Sequence, residues 1–218
     1  MELAILSVNV ARPRVIAYAN GEPVLSAIAK TPPIGQNAVF VGTMNISGDE
    51  QADLSVHGGF DKAVYAYPTD HWSWWEKEKG LSCKPGSFGE NLTLEGADES
   101  DVAIGDQFRW GDAILEIAQP RGPCFKLGIH TGRPDVPQAM TLSGRCGWYL
   151  RVLHEGHAPV SNTHFVRVAA NGGPSVREAF LAVVDPRASE DLRRRIFAAP
   201  GLAESWRHAV AKRLSGRR

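Results

Sequence analysis

Short apolar runs separated by Gly, Pro, Asn and Asp residues fill the first 170 positions, and this punctuation is typical of a β-rich domain. The clearest stretch is 101–118, where Gly-Asp pairs at 105–106 and 111–112 divide three short runs. The second pair favours a hairpin between the runs on either side of it. The predicted strands are Leu3–Val10, Asn37–Val41, Ala63–Tyr67, Val102–Ile104, Gln107–Trp110, Ala113–Ala118, Trp148–Leu153 and Phe165–Val168.

One helix is predicted within this β-rich part. Pro68-Thr69-Asp70 is a helix start signal, and Gly80 is a stop. Trp72 and Trp75 fall on one face between them, which predicts that they belong to the core and do not stack on a cofactor.

The spacing of apolar residues changes from about two to nearly four after the Asn-Gly-Gly-Pro stretch at 171–174. Ser175 and Glu178 form a capping box that predicts a first short helix. A second helix is expected to begin at Asp185-Pro186 and to end before Pro200, and a third carries apolar residues four apart from Leu202. The sequence therefore predicts a β-rich α+β fold, with a domain at 1–170 and a three-helix module at 171–218.

Composition narrows the class of protein. The chain has 218 residues and three cysteines, so it can bury a large core and has no complete disulfide framework. It contains no apolar run of membrane-spanning length and no signal-peptide pattern at its first residues. These features predict a protein of the reducing cytoplasm with no membrane contact.

Charge is balanced overall, with 24 basic and 24 acidic residues, but residues 187–218 hold nine basic and three acidic residues. A basic segment can be a solvated helix face or a nucleic-acid patch. We favour the solvated face, because few aromatic residues, Trp206 among them, are interleaved with the charges of this segment.

The densest chemical signal is the turn Gln119-Pro120-Arg121-Gly122-Pro123-Cys124, directly after a predicted strand. Two prolines and a glycine fix the turn, so the Cys124 thiol lies near the permanent cation of Arg121. A nearby guanidinium favours the thiolate, which is the reactive and metal-binding form. The alternative is a buried, inert thiol, and both interpretations remain open at this level. Cys83 and Cys146 match no zinc-site spacing and are expected to be inert.

Three further segments combine glycine with polar side chains. The segment 48–62 includes His57, Asp61 and Lys62, and its glycines would let backbone amides approach an anion. Glu90 and Asn91 follow a Gly-x-x-Gly turn, and Ser26 with Lys30 places a hydroxyl and an ammonium group on an extended segment. Each is also explained by an ordinary turn, a structural histidine or a solvated surface.

Taken together in this order and spacing, the four segments resemble the MOSC family, the molybdenum-cofactor sulfurase C-terminal-like domains. The resemblance extends over nearly the whole chain, including the helical end. It implies a MOSC-type β-barrel followed by a three-helix appendage. It also implies a molybdopterin cofactor, with Cys124 in the motif position that coordinates molybdenum.

The same resemblance assigns the remaining candidate residues. Arg121, His57 and Asp61 match motif positions around the pocket and are the catalytic candidates beside Cys124. The cofactor-binding candidates, with the phosphate assigned to the first two, are Ser26, Lys30, Lys62, Glu90, Asn91 and Arg121.

Related bacterial proteins reduce N-hydroxylated compounds such as N-hydroxylaminopurines, so the implied activity is that of a molybdenum-dependent oxidoreductase. The sequence has neither a flavin fingerprint nor an iron–sulfur cysteine set. A separate electron-donating reductase is therefore the expected partner. The alternative function is a non-catalytic carrier of the molybdenum cofactor or of sulfur.

Overall fold

The protein is described here by a computed structural model that covers residues 1–53 and 58–216. Its strands are β1 (Glu2–Val8), β2 (Arg14–Ala19), β3 (Glu22–Ser26), β4 (Ala38–Val41), β5 (Val64–Pro68), β6 (Leu92–Glu95), β7 (Gln107–Trp110), β8 (Ala113–Pro120), β9 (Trp148–His154), β10 (Gly156–Pro159) and β11 (Thr163–Ala169). Its helices are α1 (Trp72–Lys79), α2 (Phe125–Thr131), α3 (Val136–Ser143), α4 (Val176–Val184), α5 (Glu190–Phe197) and α6 (Glu204–Leu214). Among these residues, no helix combines the length and the apolar character needed to cross a membrane.

Seven of the described strands close into a barrel in the order β1–β11–β7–β8–β9–β5–β6. Neighbouring strands are antiparallel except β5 and β6, which run parallel. Two small sheets, β2–β3 and β4–β10, lie outside the barrel. The predicted β-barrel with C-terminal helices is therefore confirmed.

The barrel interior is filled by alternate side chains of its strands. In β7, Phe108 and Trp110 are fully buried whereas Arg109 between them is exposed, as a half-buried strand requires. Phe108 stacks on Phe165 of β11, with ring centroids 4.6 Å apart. The predicted hairpin is present, since β7 pairs with β8 around the turn at Gly111-Asp112.

The three C-terminal helices pack against one another and against β8. The capping box at Ser175 is formed as predicted, because its hydroxyl accepts the Glu178 amide hydrogen and the Glu178 carboxylate accepts the Ser175 amide hydrogen. The Trp206 indole of α6 donates to the carbonyl of Ala179 at 3.0 Å. The amide of Ala203 donates to the carbonyl of Ala118 at 2.9 Å, which attaches this end of the chain to the barrel.

Tertiary contacts overrode several local predictions. Val102–Ile104 is not a strand, because Ala103 forms one bridge with Ser175 and its neighbours bond the start of α4. The helix predicted from Asp185 begins later, at Glu190, since the Ser189 hydroxyl caps it by accepting the amide hydrogen of Leu192. Helices α2 and α3 were not predicted from the sequence, because each is short and interrupted by proline or glycine.

A hydroxyl on α6 connects the C-terminal helices to the strand that leads to Cys124. The Ser205 hydroxyl donates to the side-chain oxygen of the buried Gln119 at 2.9 Å. Ser205→Ala should lower the free energy of unfolding by about 1 kcal/mol, measured by urea denaturation. Ser215→Ala is the matched control, because Ser215 is an exposed hydroxyl at the end of the same helix. Equal losses in the two variants would contradict the role of the Gln119 contact.

Candidate functional site

A cavity opens at one end of the barrel, beside the turn that follows β8. Four basic and three acidic side chains face it, together with one thiol and two tyrosines. It is lined by Ser26, Ala27, Ile28, Lys30, Asp49, Glu50, Gln51, Ala52, Asp53, Gly58, Lys62, Tyr65, Gly89, Asn91, Arg121, Cys124, Lys126 and Tyr149.

The turn from β8 into α2 presents the thiol. The pairing of β8 with β9 shifts register between Ile117 and Gln119, a bulge of the kind that re-aims the following side chains. Cys124 then caps α2 with extended backbone angles, φ −125° and ψ 164°, and is half-buried. The thiol is therefore accessible from the cavity yet fixed by the proline-rich turn.

Arg121 is held inside the wall of the cavity by two tyrosines. Its guanidinium carbon lies 5.2 Å from the ring centroid of Tyr65, and its N–H groups donate to the hydroxyl of Tyr149. Burial alone would lower the pKa of Arg121, but Tyr65, Tyr149 and the Cys124 thiol together raise it. This cation is consequently permanent and rigid at a position next to the thiol.

Cross-strand pairing explains why these groups meet. Tyr65 of β5 is paired with Tyr149 of β9, and their ring centroids lie 5.2 Å apart. Tyr149 is in turn opposite Gln119 of β8, two residues before Arg121. Three adjacent barrel strands thus supply one wall of the cavity.

A second part of the cavity lining is built around the buried carboxylate of Asp49. It accepts hydrogen bonds from the Lys30 ammonium, from the Asn91 amide at 2.9 Å and from the Ala11 backbone at 2.9 Å. Burial lowers the pKa of Lys30, while Asp49 and Glu90 oppose that shift. An ammonium group has three donors, so the pair with Asp49 leaves Lys30 able to bind an anion in the cavity.

Two glycines allow the loop at 84–90 to pack closely on the Lys30 segment. A Cβ at Gly86 would lie 2.5 Å from the Lys30 carbonyl oxygen, and one at Gly89 would lie 2.6 Å from Ile28. Both glycines also have positive φ, at 82° and 78°. The Gly-x-x-Gly pattern therefore fixes the position of Lys30.

Six of the candidates predicted from the sequence lie together along the cavity: Ser26, Lys30, Lys62, Asn91, Arg121 and Cys124. Asp61 and Glu90 are not among the lining residues. Asp61 accepts from Arg151 at 2.8 Å, and the buried Glu90 accepts backbone N–H groups of Gly86 and Phe88 at 2.7 and 3.0 Å. His57 lies outside the described residues.

The lining residues that were not among the sequence candidates include Asp49, Tyr65, Lys126 and Tyr149. A signal existed for two of them, since Asp49 is in the polar stretch 48–51 and Lys126 is two residues from Cys124. The two tyrosines gave no local signal, because a tyrosine in a strand is an ordinary core residue. Their position at the cavity follows from strand register.

Neither of the other two cysteines lines the cavity. Burial raises the pKa of the Cys83 thiol to about 12, with Glu90 and Glu76 acting in the same direction. Cys146 is fully buried, and burial raises its pKa well above the ordinary value. Within 1–53 and 58–216, no group of three or more His, Cys, Asp or Glu side chains could hold a metal ion.

A family model for the MOSC domain matches residues 53–169. Protein YiiM of Escherichia coli (strain K12) is 36% identical over 215 residues, which cover 96% of this chain and 93% of that protein. The chain belongs to the MOSC domain family. The crystal structure of YiiM from Geobacillus stearothermophilus has a TM-score of 0.79 to this MOSC protein at 34% identity, covering 97% of this chain and 99% of that one.

These matches confirm the predicted family. MOSC domains are associated with binding of the molybdenum cofactor. A protein of Gibberella moniliformis (strain M3125 / FGSC 7600) named "Reductase" is 36% identical over 148 residues. That alignment covers 66% of this MOSC chain and 26% of the longer fungal protein.

His130 of α2 links the Cys124 helix of this MOSC domain to the glycine loop, since its imidazole lies 3.3 Å from the Gly86 carbonyl oxygen. Burial lowers the pKa of His130 below its ordinary value of 6.5, and the Gly86 carbonyl opposes this shift in part. As pH falls below that value, the unfolded chain takes up a proton that the folded chain resists. The free energy of unfolding should therefore decline as pH falls.

His130→Asn is expected to flatten this decline, measured by urea denaturation between about pH 7.5 and about pH 5. His208→Asn is the control, because His208 is exposed on α6. A His130→Asn protein with an unchanged slope would show that this histidine does not control the pH dependence.

Proposed function

We propose that this MOSC protein is a molybdenum-cofactor-dependent oxidoreductase that reduces N-hydroxylated compounds, with Cys124 as the protein ligand of the metal. The observation that carries the proposal is the composition of the cavity. It joins the half-buried Cys124 thiol to the basic side chains of Lys30, Lys62, Arg121 and Lys126.

The side chains in the cavity fit such a group. A thiolate is a soft ligand suited to a redox-active metal. The Ser26 hydroxyl accepts the Ile28 amide hydrogen at 3.2 Å, so its own hydrogen can be donated to a phosphate oxygen. Lys30 lies in the same wall and would bind that phosphate as a cation.

The protein's own contribution is positioning and charge. The guanidinium of Arg121 favours the thiolate form of Cys124, which is the form that binds a metal. Tyr65 and Tyr149 fix that guanidinium, and the packed barrel behind them excludes water. When bound, the cofactor would supply the two-electron chemistry.

The proposed reaction breaks one N–O bond. The compound R–NH–OH accepts two electrons and two protons, and the products are the amine R–NH₂ and water. A separate reductase supplies the electrons, since the sequence carries no flavin fingerprint and no iron–sulfur cysteine set.

The test is to produce the protein in a host that makes molybdopterin, and to measure bound molybdenum by elemental analysis and the pterin by fluorescence. Loaded protein should then reduce benzamidoxime and 6-hydroxylaminopurine with a chemical reductant. Protein that carries molybdenum and pterin but reduces neither compound would instead be a cofactor carrier. Protein without metal from that host would contradict the proposal at its first step.

A further inference from the structure

A second concave surface lies on the other side of Cys124, between α2 and α3. Phe125 and Ile129 line it from α2, Pro134 and Pro137 lie opposite, and Gln138 is exposed at its edge. Apart from Cys124, none of the described side chains that line this groove is ionisable. The groove therefore differs in chemistry from the charged cavity.

Cys124 is the one described residue that lines both surfaces. The charged cavity suits an anionic cofactor, whereas an uncharged, mainly apolar groove suits a neutral planar group. A reacting group held at their junction would touch whatever Cys124 binds. This arrangement would let a cofactor and a substrate bind on separate surfaces that meet at one thiol.

We propose that the groove between α2 and α3 binds the aromatic body of an N-hydroxylated substrate and directs its N–OH group toward Cys124. This inference rests on the function proposed above. Phe125 directly follows Cys124 and is 64% exposed, so its ring offers a stacking face at the point where the two surfaces meet.

The walls of the groove are fixed before any ligand binds. A Cβ at Gly128 would lie 3.1 Å from the Cα of Pro134, so this glycine allows the start of α3 to approach α2 closely. Arg133 in the connection donates to Asp135 at 3.1 Å and to the Lys79 carbonyl at 2.7 Å. A rigid groove loses less conformational entropy when a flat ligand enters.

Gln138→Trp tests the proposal because a bulky side chain at the groove edge would overhang the surface without altering the charged cavity. Leu142→Trp is the matched control, since Leu142 is on the same helix, is 81% exposed and does not line the groove. Loaded protein is assayed with benzamidoxime, which has an aromatic body, and with acetamidoxime, which has a methyl group in its place.

For Gln138→Trp, the ratio of kcat/KM for benzamidoxime to that for acetamidoxime should fall roughly tenfold, mainly through a higher KM for benzamidoxime. The control should keep the parent ratio. A Gln138→Trp protein with the parent ratio would overturn the groove assignment while leaving the proposed reduction intact.

A binding measurement separates the two proposals when turnover fails. The ¹⁹F NMR signal of 4-fluorobenzamidoxime is titrated with the full-length, metal-free chain to give Kd. Parent and Leu142→Trp proteins should bind the probe with equal Kd, and Gln138→Trp should weaken binding roughly tenfold. Absence of binding to the parent, or equal Kd in all three proteins, would overturn the groove. Failure of the loaded parent to reduce either amidoxime, with binding retained, would overturn the reductase function alone.

Discussion

Replacement of Cys124 by serine is expected to reduce turnover of N-hydroxylated compounds more than roughly 100-fold, because even a residue that only supports a metal ligand costs 10–100-fold when changed. Serine retains the shape of the side chain but replaces a soft, readily ionised sulfur with a hydroxyl. The molybdenum spectrum should change as well, even if the pterin still binds through its phosphate. Turnover is measured by steady-state kinetics and the molybdenum spectrum by metal spectroscopy, both on loaded protein.

The other cysteines provide matched controls for this substitution. Cys83→Ser should keep turnover close to that of the parent, since burial holds the Cys83 thiol protonated. Cys146→Ala removes a fully buried sulfur, so any loss should appear as roughly 1 kcal/mol of stability and not in the metal spectrum. Parental turnover with an unchanged spectrum in Cys124→Ser would rule out the ligand assignment.

Loss of the Asp49 carboxylate is expected to have the largest effect on stability. Asp49→Ala leaves the Lys30 ammonium buried without its counter-ion and removes the acceptor for Asn91 and Ala11. Breaking a buried ion pair on one side costs about 3–5 kcal/mol, so the free energy of unfolding should fall by this amount in urea denaturation. Pterin binding should weaken with it, because Asp49 orients Lys30 toward the cavity.

A variant of the neighbouring residue Glu50 and a double variant test whether the buried charge of Lys30 causes the loss of stability. Glu50→Ala removes a carboxylate from the same loop, but its partner Arg12 is exposed, so the loss should be under about 1 kcal/mol. Adding Lys30→Met to Asp49→Ala removes the stranded ammonium and should recover part of the stability. A double variant less stable than Asp49→Ala would show that the buried charge is not the source of the loss.

Much of the fold could be predicted from local signals. The hairpin of β7 and β8 follows from alternating residues around Gly111-Asp112, and the capping box at Ser175 marks α4 where the structure has it. Both signals involve residues that are close in the sequence, so they predict these elements without any long-range contact. The nearness of Cys124 to Arg121 has the same basis, because prolines fix their common turn.

Other features depended on contacts between distant segments. Val102–Ile104 has the composition of a strand, but the nearest partner for Ala103 is Ser175 at the start of α4. Glu90 and Asn91 are adjacent in the sequence, yet Asn91 reaches the cavity whereas the Glu90 carboxylate turns inward to bond the glycine loop. Which of two neighbouring polar residues faces a cavity is decided by packing and strand register.

The sequence by itself determined the family, the barrel class and a fixed thiol beside a permanent cation, since these depend on motif order, periodicity and one short turn. Only the tertiary structure decided that Asp49 would bind Lys30 and that Tyr149 would bind Arg121. It also decided that Cys124 would lie between a charged cavity and a mainly apolar groove. The physical reason is closure of the barrel. It brings strands and loops from distant parts of the chain to one end, where their side chains pair.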